Sequence, residues 1–585
     1  MSFDLSRRRA IRTLGVGLLT PYLITFHRQG SARMVDAPAG PRRDGGRDVF
    51  SLSIMSGDPS ATGVVLWTRI DPVWYQAGTT LRFQVSDEQS FNSLVLEGEI
   101  PASAIGPASD YTARVDLDGQ LQSARRYYYR FIYRDVASPI GRCRTAPASG
   151  MSVNRLSLAL LSCQDYANGY YGAFRHLAQR DDVDFVLHLG DLIYEYATDP
   201  HAQSLPFADR QILLPSGGSV ALSLDDYRHL YRTYRRDPDL QACLEQHTFI
   251  VIWDDHETAN DCYWDYDRDT LGAPDHPYTL DATYGNDPSL LRQLKRDAQQ
   301  AWLEYVPARV EVNHNASHPW EHLSIYRRIR LGDLADLFLT DERSYRSPHP
   351  CGEGNLFERL LPVGCQDYRA SDQTMLGHKQ RDWLIDGMTS SSAQWKLWGN
   401  QVCFMELALP RDGRRIPLNV DAWDGFMAER RYLSDAFWQT GVENLCILTG
   451  DFHSYAAGYI KRNYQANSNL DRQNVIGTEF LTTSITSANV LDGLAGALDR
   501  DPATPDKNVP IGNRLFGVNN PHLEFFDSAQ HGYSVLDLAT NACEWSAYAV
   551  DKNSRVEDPQ ARLFRRFRRE SGSMRLIDNR LAVWV

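Results

Sequence analysis

The chain has 585 residues, which is too long for a single hydrophobic core and predicts two or more domains. Hydrophobic residues make up 43% and charged residues 23% of the sequence, as in an ordinary globular protein. The formal net charge of −13 has the wrong sign for holding a nucleic-acid backbone, so no nucleic-acid partner is expected. An anionic substrate would instead have to be attracted by bound cations.

Residues 1–32 are typical of an export signal. The segment "SRRRAIR" precedes "TLGVGLLTPYLITF", an apolar run that is too short to span a membrane well. Paired arginines before such a run favour the twin-arginine export machinery as a partner. We therefore expect a periplasmic or secreted protein with no stable membrane span in its mature form. The alternative is a basic, apolar N-terminal helix of an ordinary enzyme.

An all-β domain is predicted after this segment. Residues 33–45 are rich in Pro, Gly and Ala and indicate a linker. Residues 46–147 contain short β-rich runs that are separated by turn signals, namely "GVVLWTRI", "TLRFQVS", "YTARVDL" and "RYYYRFIYR". About a hundred residues of this kind predict a small sandwich of the fibronectin or immunoglobulin type.

The pattern changes in residues 150–585, where apolar runs without alternation indicate strands that are buried on both faces. These runs are "RLSLALLSCQDY", "DFVLHLGDLIY", "FIVIWDDHE", "QWKLWGNQV" and "NLCILTGDFHS". Helical patterns such as "YYGAFRHLAQRD" and "PSLLRQLKRDAQQAWLEYV" lie between them. Strands that alternate with helices predict a layered α/β core.

All five apolar runs end in side chains that bind metals or form hydrogen bonds. In chain order these are Cys163, Asp191 and Tyr194, then Asp254, Asp255 and His256, then Asn400 and Gln401, and finally Asp451 and His453. Ligands of α/β folds bind beyond the carboxyl ends of the strands, so we expect these groups to share one site. Several carboxylates at one edge would repel each other without cations. The pattern therefore predicts a metal centre.

The ligand types indicate more than one kind of ion. Asp191, beside a glycine at a strand end, is placed to bridge two metals about 3.5–4 Å apart. A thiolate from Cys163 and a phenolate from Tyr194 favour a ferric ion, whereas carboxylate and amide ligands suit a hard dication. Taken alone, each residue has a structural alternative. Cys163 could be a buried small hydrophobe, and His453 a hydrogen-bonded structural histidine.

"HETAN" is not the H-E-x-x-H motif, because Asn260 stands where the second histidine would be, so a zincin protease is not expected. Taken alone, "DDHE" could also cap a helix.

Nine cysteines are an odd number for an exported protein, so at least one is unpaired. Cys351 and Cys365 flank a loop with Gly and Pro and could close it, although the sequence does not determine the pairing. Cys163 is expected to stay reduced.

Near the C-terminus, "RLFRRFRRE" predicts a solvated helix face with Leu563, Phe564 and Phe567 turned inward. The alternative for this segment is contact with an anionic membrane or polymer.

Long motifs resemble those of the PhoD-like alkaline phosphatases and phosphodiesterases of the metallophosphoesterase superfamily, over nearly the whole chain. The N-terminal domain carries "SIMSGDPSATGVVLWTRIDP" and "SARRYYYRFIYRDVASPIGRCRTAP". The catalytic domain carries "LLSCQDYANGYYGAF", "DFVLHLGDLIYEY", "WDDHETAND", "LTDERSYR", "MLGHKQRDWL", "WKLWGNQV", "DAWDGFMAERRYL", "LTGDFHS" and "HGYSVLDL". The resemblance implies a metallophosphoesterase-type β-sandwich core flanked by helices, with a ferric ion (Fe³⁺) and one or more calcium ions (Ca²⁺).

The resemblance also implies roles for individual residues. The residues that match metal ligands are Cys163 and Tyr194 for iron, Asp191 as the bridge, Asp255 and Asn260 for the second metal, and Asp451 and His453 as the final pair. His256 is implied as a leaving-group acid or transition-state contact. Arg343 is implied as a catalytic phosphate or metal neighbour, and Asn400 as a substrate-binding residue. Phe426 stands in "WDGF", where the family is expected to have Tyr.

We therefore expect a metal-dependent phosphoesterase that hydrolyses phosphomonoesters, phosphodiesters or both. The expected reaction is in-line attack by a metal-bound hydroxide, with His256 assisting the leaving group. One alternative is a narrower phosphodiesterase or phospholipase D-like enzyme that acts on lipid or wall polymers. Another is a non-catalytic protein that binds phosphate-containing polymers.

Overall fold

The computed structural model of the chain describes residues 25–27, 45–197, 207–411, 414–466, 468–469, 471–489, 492, 509–555 and 560–579. The expected export signal and linker lie outside these ranges, except for Thr25–His27 and Gly45. Among the described residues, no helix combines the length and the apolar character that a membrane span requires.

The α-helices of the described residues are α1 (Gly46–Val49), α2 (Gly172–Ala178), α3 (Leu224–Tyr234), α4 (Pro238–Gln246), α5 (Pro277–Leu280), α6 (Pro288–Tyr305), α7 (Pro319–His322), α8 (Leu356–Leu360), α9 (Gly377–Ser390), α10 (Met427–Gln439) and α11 (Val509–Asn519).

The first β-strands are β1 (Thr25–His27), β2 (Ile54–Ser60), β3 (Gly63–Arg69), β4 (Leu81–Ser86), β5 (Leu96–Ile100), β6 (Thr112–Asp116), β7 (Arg126–Tyr133), β8 (Val136–Ala137), β9 (Gly141–Arg144), β10 (Arg155–Leu161), β11 (Phe185–His188), β12 (Thr248–Val251), β13 (Tyr263–Asp265) and β14 (Thr270–Gly272). The later strands are β15 (Glu311–Val312), β16 (Leu323–Ser324), β17 (Arg327–Leu331), β18 (Ala335–Leu339), β19 (Trp395–Asn400), β20 (Ala408–Arg411), β21 (Arg414–Pro417), β22 (Leu445–Thr449), β23 (Tyr455–Lys461), β24 (Val475–Leu481), β25 (Leu523–Asp527), β26 (Gly532–Ala539), β27 (Ala542–Ala549), β28 (Arg562–Glu570) and β29 (Leu576–Asp578).

The first compact unit contains the chain up to Ala148 together with Arg235–Ile250 and Trp302–Arg309. One of its sheets has the strand order β1-β5-β4-β7-β8, with β9 also paired to β7, and a second set has the order β12-β2-β3-β6. Leu66 of β3 and Phe83 of β4 share one buried apolar core, which joins the two sets of strands. The predicted all-β N-terminal sandwich is therefore confirmed.

The second compact unit contains Ser149–Tyr234, Val251–Ala301 and Val310–Val585. Its strands run in the orders β29-β28-β27-β26-β10-β11 and β17-β18-β19-β22-β24-β23-β25. The two sheets pack face to face, because the rings of Phe480 on β24 and Trp545 on β27 stack with their centroids 5.4 Å apart. Leu384 of α9 and Leu433 of α10 belong to the core on the seven-stranded sheet. This arrangement confirms the predicted layered α/β fold.

Parallel pairing places the carboxyl ends of neighbouring strands side by side, and the predicted site residues follow these ends. β10 pairs in parallel with β11, and β19 pairs in parallel with β22. All five residues of β22 are buried, as expected for a strand that is covered on both faces. After the strands end, the two sheets approach closely, because a Cβ atom on Gly450 would lie 2.7 Å from Cβ of Ser162. Residues that follow β10, β11 and β22 can therefore meet.

Cys351 and Cys365 form a disulfide, so the loop that they flank is closed. The remaining seven cysteines, including Cys163, are free and buried.

The helix prediction for "RLFRRFRRE" is wrong, because this segment is strand β28. It pairs antiparallel with β27, and Trp545 lies opposite Phe567. Phe567 is 2% exposed and Leu563 is 39% exposed, so the two side chains do not share a buried face. The ladder with β27 determines the conformation here, because cross-strand packing outweighs a local apolar period.

Substitution of Phe567 by Ala should lower the free energy of unfolding by about 3–5 kcal/mol, because a buried aromatic ring is removed. The matched substitution Leu563→Ala should change it by less than about 1 kcal/mol, because that side chain is largely exposed. Equilibrium denaturation of both variants provides the comparison. Equal losses would indicate the helical arrangement and contradict the strand.

Candidate metal centre

Four predicted ligands have unusual backbone conformations. Cys163 (φ 57°), Asp191 (φ 60°), Asp451 (φ 57°) and His453 (φ 46°) all lie in the left-handed region. Non-glycine residues adopt this region rarely, and they do so mostly where the surrounding structure holds a functional group in place. Each residue follows the end of β10, β11 or β22, so the chain turns sharply as it leaves the sheet.

The first ligand cluster contains Cys163, Asp191 and His453, whose ligand atoms lie within 4.8 Å of one another. Tyr194 adjoins it, since its hydroxyl donates to Oδ2 of Asp191 at 3.1 Å and lies 3.4 Å from Nε2 of His453. The structure therefore brings together a thiol, a carboxyl group, a phenol and an imidazole. Burial raises the pKa of both Cys163 and Tyr194 well above the usual values, so a cation would be needed to hold them deprotonated.

His453 is oriented as a ligand by a bond on the far side of its ring. Its Nδ1 lies 2.6 Å from the carbonyl oxygen of Ala488 and must donate to it. This bond leaves the Nε2 lone pair directed at the cluster, which is the usual arrangement of a ligating histidine. Burial also lowers the pKa of His453 to about 4, which favours the neutral ring.

The loop that carries Ala488 is held by three buried polar residues, Asp492, His531 and Lys552. His531 and Lys552 both contact Oδ2 of Asp492. Lys552 also donates to the carbonyl oxygen of Thr486 at 2.8 Å. In the same loop, the Ser487 hydroxyl donates to the carbonyl oxygen of Cys163 at 3.0 Å. This group thus supports the backbone beside two predicted ligands.

The second and third clusters consist mainly of carboxylates. Asp254, Asp255 and Asp451 form one, and Asp191, Asp255 and His256 form the other, again with ligand atoms within 4.8 Å. Burial raises the pKa of Asp191, Asp254 and Asp451, and the carboxylate of Asp255 adds to the increase. One oxygen each of Asp191, Asp254 and Asp255 is buried without a hydrogen-bond partner. Oxygens of this kind are suitable ligands for hard cations, so the residues fit metal ions.

Glu257 fixes the spacing between two of the loops. Its carboxylate accepts hydrogen bonds from the backbone N–H groups of Asp191 (3.0 Å), Leu192 (2.6 Å) and Asp254 (2.8 Å). The approach is so close that a Cβ atom on Gly190 would lie 2.5 Å from Cβ of Asp254. Gly190 has a φ of +112°, which an L side chain rarely adopts.

His256 is held by an acidic partner. Its Nδ1 lies 2.7 Å from Oε2 of Glu195, and its ring centroid lies 4.1 Å from that of Tyr194. Burial lowers the pKa of His256, but the carboxylates of Glu195, Asp255 and Asp191 outweigh this effect and raise it well above the usual value. The Nδ1 contact leaves Nε2 as the other nitrogen for proton transfer or metal binding.

Arg343 is the cation among these carboxylates. Its guanidinium donates to Asp254 and to Asp421, each at 2.6 Å. Its Nη2 lies 3.5 Å from an oxygen of Asp255 and 3.5 Å from one of Asp451, and forms no hydrogen bond. The side chain is fully buried, so it balances negative charge that water cannot reach.

A fourth cluster of Asp261, His349 and Asp421 adjoins Arg343. Its charges are already balanced, since Arg346 donates to Asp421 at 2.6 Å and Arg359 donates to Asp261 at 2.7 Å. Burial raises the pKa of Asp421, but Arg343 and Arg346 outweigh it and hold this pKa well below the usual value. This cluster is therefore an ion-pair network that positions Arg343.

Asn260 and Asn400, which were also predicted as site residues, form hydrogen bonds with residues outside the ligand clusters. Asn260 donates from its side chain to Asp275 at 2.6 Å and from its backbone to Glu195 at 2.7 Å. The side chain of Asn400 is directed into the core. It accepts a hydrogen bond from the Trp423 indole at 3.0 Å and donates to the carbonyl oxygen of Val402 and to Thr449. These contacts occupy the amide that was expected to bind substrate.

Glu195, Glu257 and Asp421 were not predicted to have roles, although their contacts make them part of the site. Glu195 and Glu257 follow predicted ligands closely in "GDLIYEY" and "DDHE", which was an available signal. Asp421 begins the motif "DAWDGFMAERRYL" after β21, but the motif does not indicate its contact with Arg343.

A layered α/β core that collects such groups at one strand edge is suited to a hydrolase that works with metal ions. Residues 158–547 match the family model described as PhoD-like phosphatase, and residues 35–147 match its N-terminal domain. The chain belongs to the PhoD-like phosphatase family, as the sequence motifs predicted. It is accordingly a phosphoester hydrolase.

Two known proteins illustrate the relationship. Alkaline phosphatase D from Bacillus subtilis (strain 168) is 29% identical over 504 residues, which cover 85% of this chain and 76% of that protein. The solved structure of PhoD matches with a TM-score of 0.75 at 25% identity and covers 93% of each chain.

Substitution of Glu257 by Gln should weaken binding of added metal ions by about 10–100-fold, because an amide N–H₂ would face backbone donors and displace the loops of Asp191 and Asp254. Isothermal titration of the metal-stripped protein measures this affinity. The control Glu99→Gln changes an exposed carboxylate on β5 and should have no effect. Unchanged affinity in the Glu257 variant would contradict the positioning role.

Proposed function

We propose that the chain is an exported, metal-dependent phosphoesterase that hydrolyses phosphomonoesters, phosphodiesters or both. The main support is the set of buried carboxylate oxygens on Asp191, Asp254 and Asp255 that have no hydrogen-bond donor. Such oxygens are costly without cations, and the thiol and phenol beside them are poor ligands for calcium alone. Export is supported by the arginine-containing N-terminal sequence.

The proposed ligands divide into two groups around Asp191. Cys163, Tyr194 and His453 would hold a ferric ion together with Asp191. Asp255 would hold calcium together with Asp254 and Asp451, whose ligand oxygens lie within 4.8 Å of its own. The amide oxygen of Asn260, whose nitrogen already donates to Asp275, is proposed as a further ligand. When bound, these cations supply positive charge against the phosphoryl oxygens and lower the pKa of water.

His256 is proposed to protonate the leaving oxygen. Glu195 binds Nδ1 and thereby fixes the ring, so that Nε2 carries the transferable proton when the imidazole is charged. Asn260 donates its backbone N–H to the other oxygen of Glu195, which keeps that carboxylate in place. The same three residues therefore define the direction of proton transfer.

Arg343 is proposed to contact the phosphoryl group through Nη2, which forms no hydrogen bond within the described residues. Its other nitrogens are bound to Asp254 and Asp421. The guanidinium is therefore already fixed in place and need not reorganise when the phosphoryl group reacts. Asn400 is proposed to act indirectly, by joining β19 to Trp423 and Thr449 rather than by touching substrate.

Removal of metal ions by a chelator should abolish hydrolysis and lower the melting temperature, because the carboxylates around Asp191 would repel one another. Ferric and calcium ions, restored separately and then together, should raise the melting temperature. Scanning calorimetry checks this independently of activity. Hydrolysis of a chromogenic phosphodiester by fully metal-free protein would contradict the proposal.

The iron position has a spectroscopic test. Protein loaded with ferric ion should show a visible tyrosinate charge-transfer band, which Tyr194→Phe should remove. The neighbouring substitution Tyr196→Phe should leave the band unchanged, although its ring centroid lies only 5.4 Å from that of Tyr194. A band that persists in Tyr194→Phe would place iron elsewhere.

Substitution of His256 by Ala should lower kcat by about 10²–10⁴-fold for an alkyl phosphate, whose leaving group needs a proton. The loss should be much smaller for a nitrophenyl phosphate, whose leaving group departs as the anion. Steady-state kinetics on both substrates separates proton donation from a general loss of the site. The control His318→Ala changes a half-exposed histidine and should affect neither substrate. Equal losses on both substrates would contradict the acid role.

A further inference from the structure

A pair of thiols lies in the core of the second unit, apart from the metal centre. Sγ of Cys446 on β22 is 3.9 Å from Sγ of Cys543 on β27. Both side chains are almost completely inaccessible to solvent. The two strands belong to different sheets of the sandwich, so this contact spans the core.

The environment of Cys446 is basic, which is uncommon for a buried thiol. Arg569 on β28 is fully buried and directs Nη1 at Sγ of Cys446 from 3.7 Å. The same nitrogen donates to the carbonyl oxygen of Leu445 at 2.7 Å and to the hydroxyl of Thr478 at 3.0 Å. In the described part of the chain, no carboxylate forms an ion pair with Arg569. The group beside it that can become negative is therefore the Cys446 thiol.

Other buried thiols of the chain have a raised pKa, whereas that of Cys446 is lowered. Burial raises the pKa of Cys143, Cys243 and Cys403 above the usual value. For Cys446, the hydrogen bond with Cys543, supported by Arg569 and Thr478, overcomes burial and lowers the pKa to about 7. Cys446 is thus the thiol that reaches the reactive thiolate form most readily.

We infer that Cys446 and Cys543 are a redox-active pair that closes to a disulfide across the two sheets when local opening of the core admits a peroxide. The inference rests on the sulfur–sulfur contact, on the nearby guanidinium of Arg569, which has no carboxylate partner among the described residues, and on the placement of the thiols in different sheets. It does not depend on the proposed function of the metal centre.

The reaction balances in two steps. The Cys446 thiolate attacks one oxygen of hydrogen peroxide, the O–O bond breaks, and hydroxide leaves while a sulfenic acid forms. The sulfur of Cys543 then attacks the sulfenic sulfur, a disulfide forms, and the hydroxyl group leaves with the Cys543 proton as water. The two cysteines lose two electrons, and the peroxide gains them.

This crosslink would join the two sheets whose strand ends carry the residues of the metal centre. β22 leads directly to Asp451, whereas β27 lies in the same sheet as β10 and β11, which lead to Cys163 and Asp191. A covalent link between β22 and β27 would therefore restrict sliding of one sheet against the other.

The test uses the purified full-length chain, exposed to a small excess of hydrogen peroxide, denatured, alkylated and digested without reductant. Mass spectrometry should find a peptide pair linked through Cys446 and Cys543 and two fewer alkylated cysteines than in untreated protein. The Cys351–Cys365 bond is the internal reference for a preserved disulfide. The treated protein should also melt about 5 °C higher than untreated protein.

Three variants make the test specific. Cys403→Ser removes another buried thiol and should leave the crosslink intact. Cys543→Ser should prevent the crosslink and leave a sulfenic acid at Cys446 that dimedone traps once the treated protein is unfolded. Arg569→Gln should slow crosslinking by about tenfold or more, because the thiolate loses its cation. Recovery of Cys446 and Cys543 as alkylated thiols in treated wild-type protein, with no dimedone adduct in Cys543→Ser, would overturn the inference.

Discussion

Repulsion among buried carboxylates is the constraint on which the functional end of this protein depends. Asp191, Asp254, Asp255 and Asp451 converge beyond the strand ends, and water cannot stabilise the negative charges of the first three, which are buried. Arg343 neutralises part of this charge, and its own position is held by Asp421 and the ion pairs around it. A single guanidinium cannot balance all four groups, and three of the carboxylates keep an oxygen without a donor. In the proposed function, cations would complete the balance and would draw an anionic phosphoester to a chain whose net charge is negative.

The surrounding backbone is organised to keep these groups in place. Four predicted ligands accept left-handed conformations, which is tolerated only where neighbouring contacts determine the geometry. Glu257 supplies such contacts for Asp191 and Asp254, and the carbonyl oxygen of Ala488 supplies one for His453. The outer contacts are therefore as much a part of the site as the ligands. The contacts of Glu195 and of the Ala488 carbonyl oxygen also determine that Nε2 is the free nitrogen of His256 and of His453.

The two sheets contribute different parts of the centre. Cys163 and Asp191 leave the sheet that contains β27, whereas Asp451 and His453 leave the sheet that contains β22. The geometry of the centre therefore depends on how the sheets pack, and the contacts between them include the stacked rings of Phe480 and Trp545 and the thiols of Cys446 and Cys543. Core packing and ligand geometry are coupled in this way.

The sequence by itself determined the family, the order of the main core strands along the chain and the candidate ligands at their ends, because apolar runs and the polar residues that follow them are local patterns. It did not determine which strands pair or which distant residues meet. β28 was therefore mistaken for a helix, since only its ladder with β27 shows that it is a strand. The roles of Glu195 and Asp421, the core position of Asn400, and the contact between Cys446 and Cys543 were decided by the tertiary structure. Each of them depends on contacts between segments that are far apart in the chain, which no local pattern encodes.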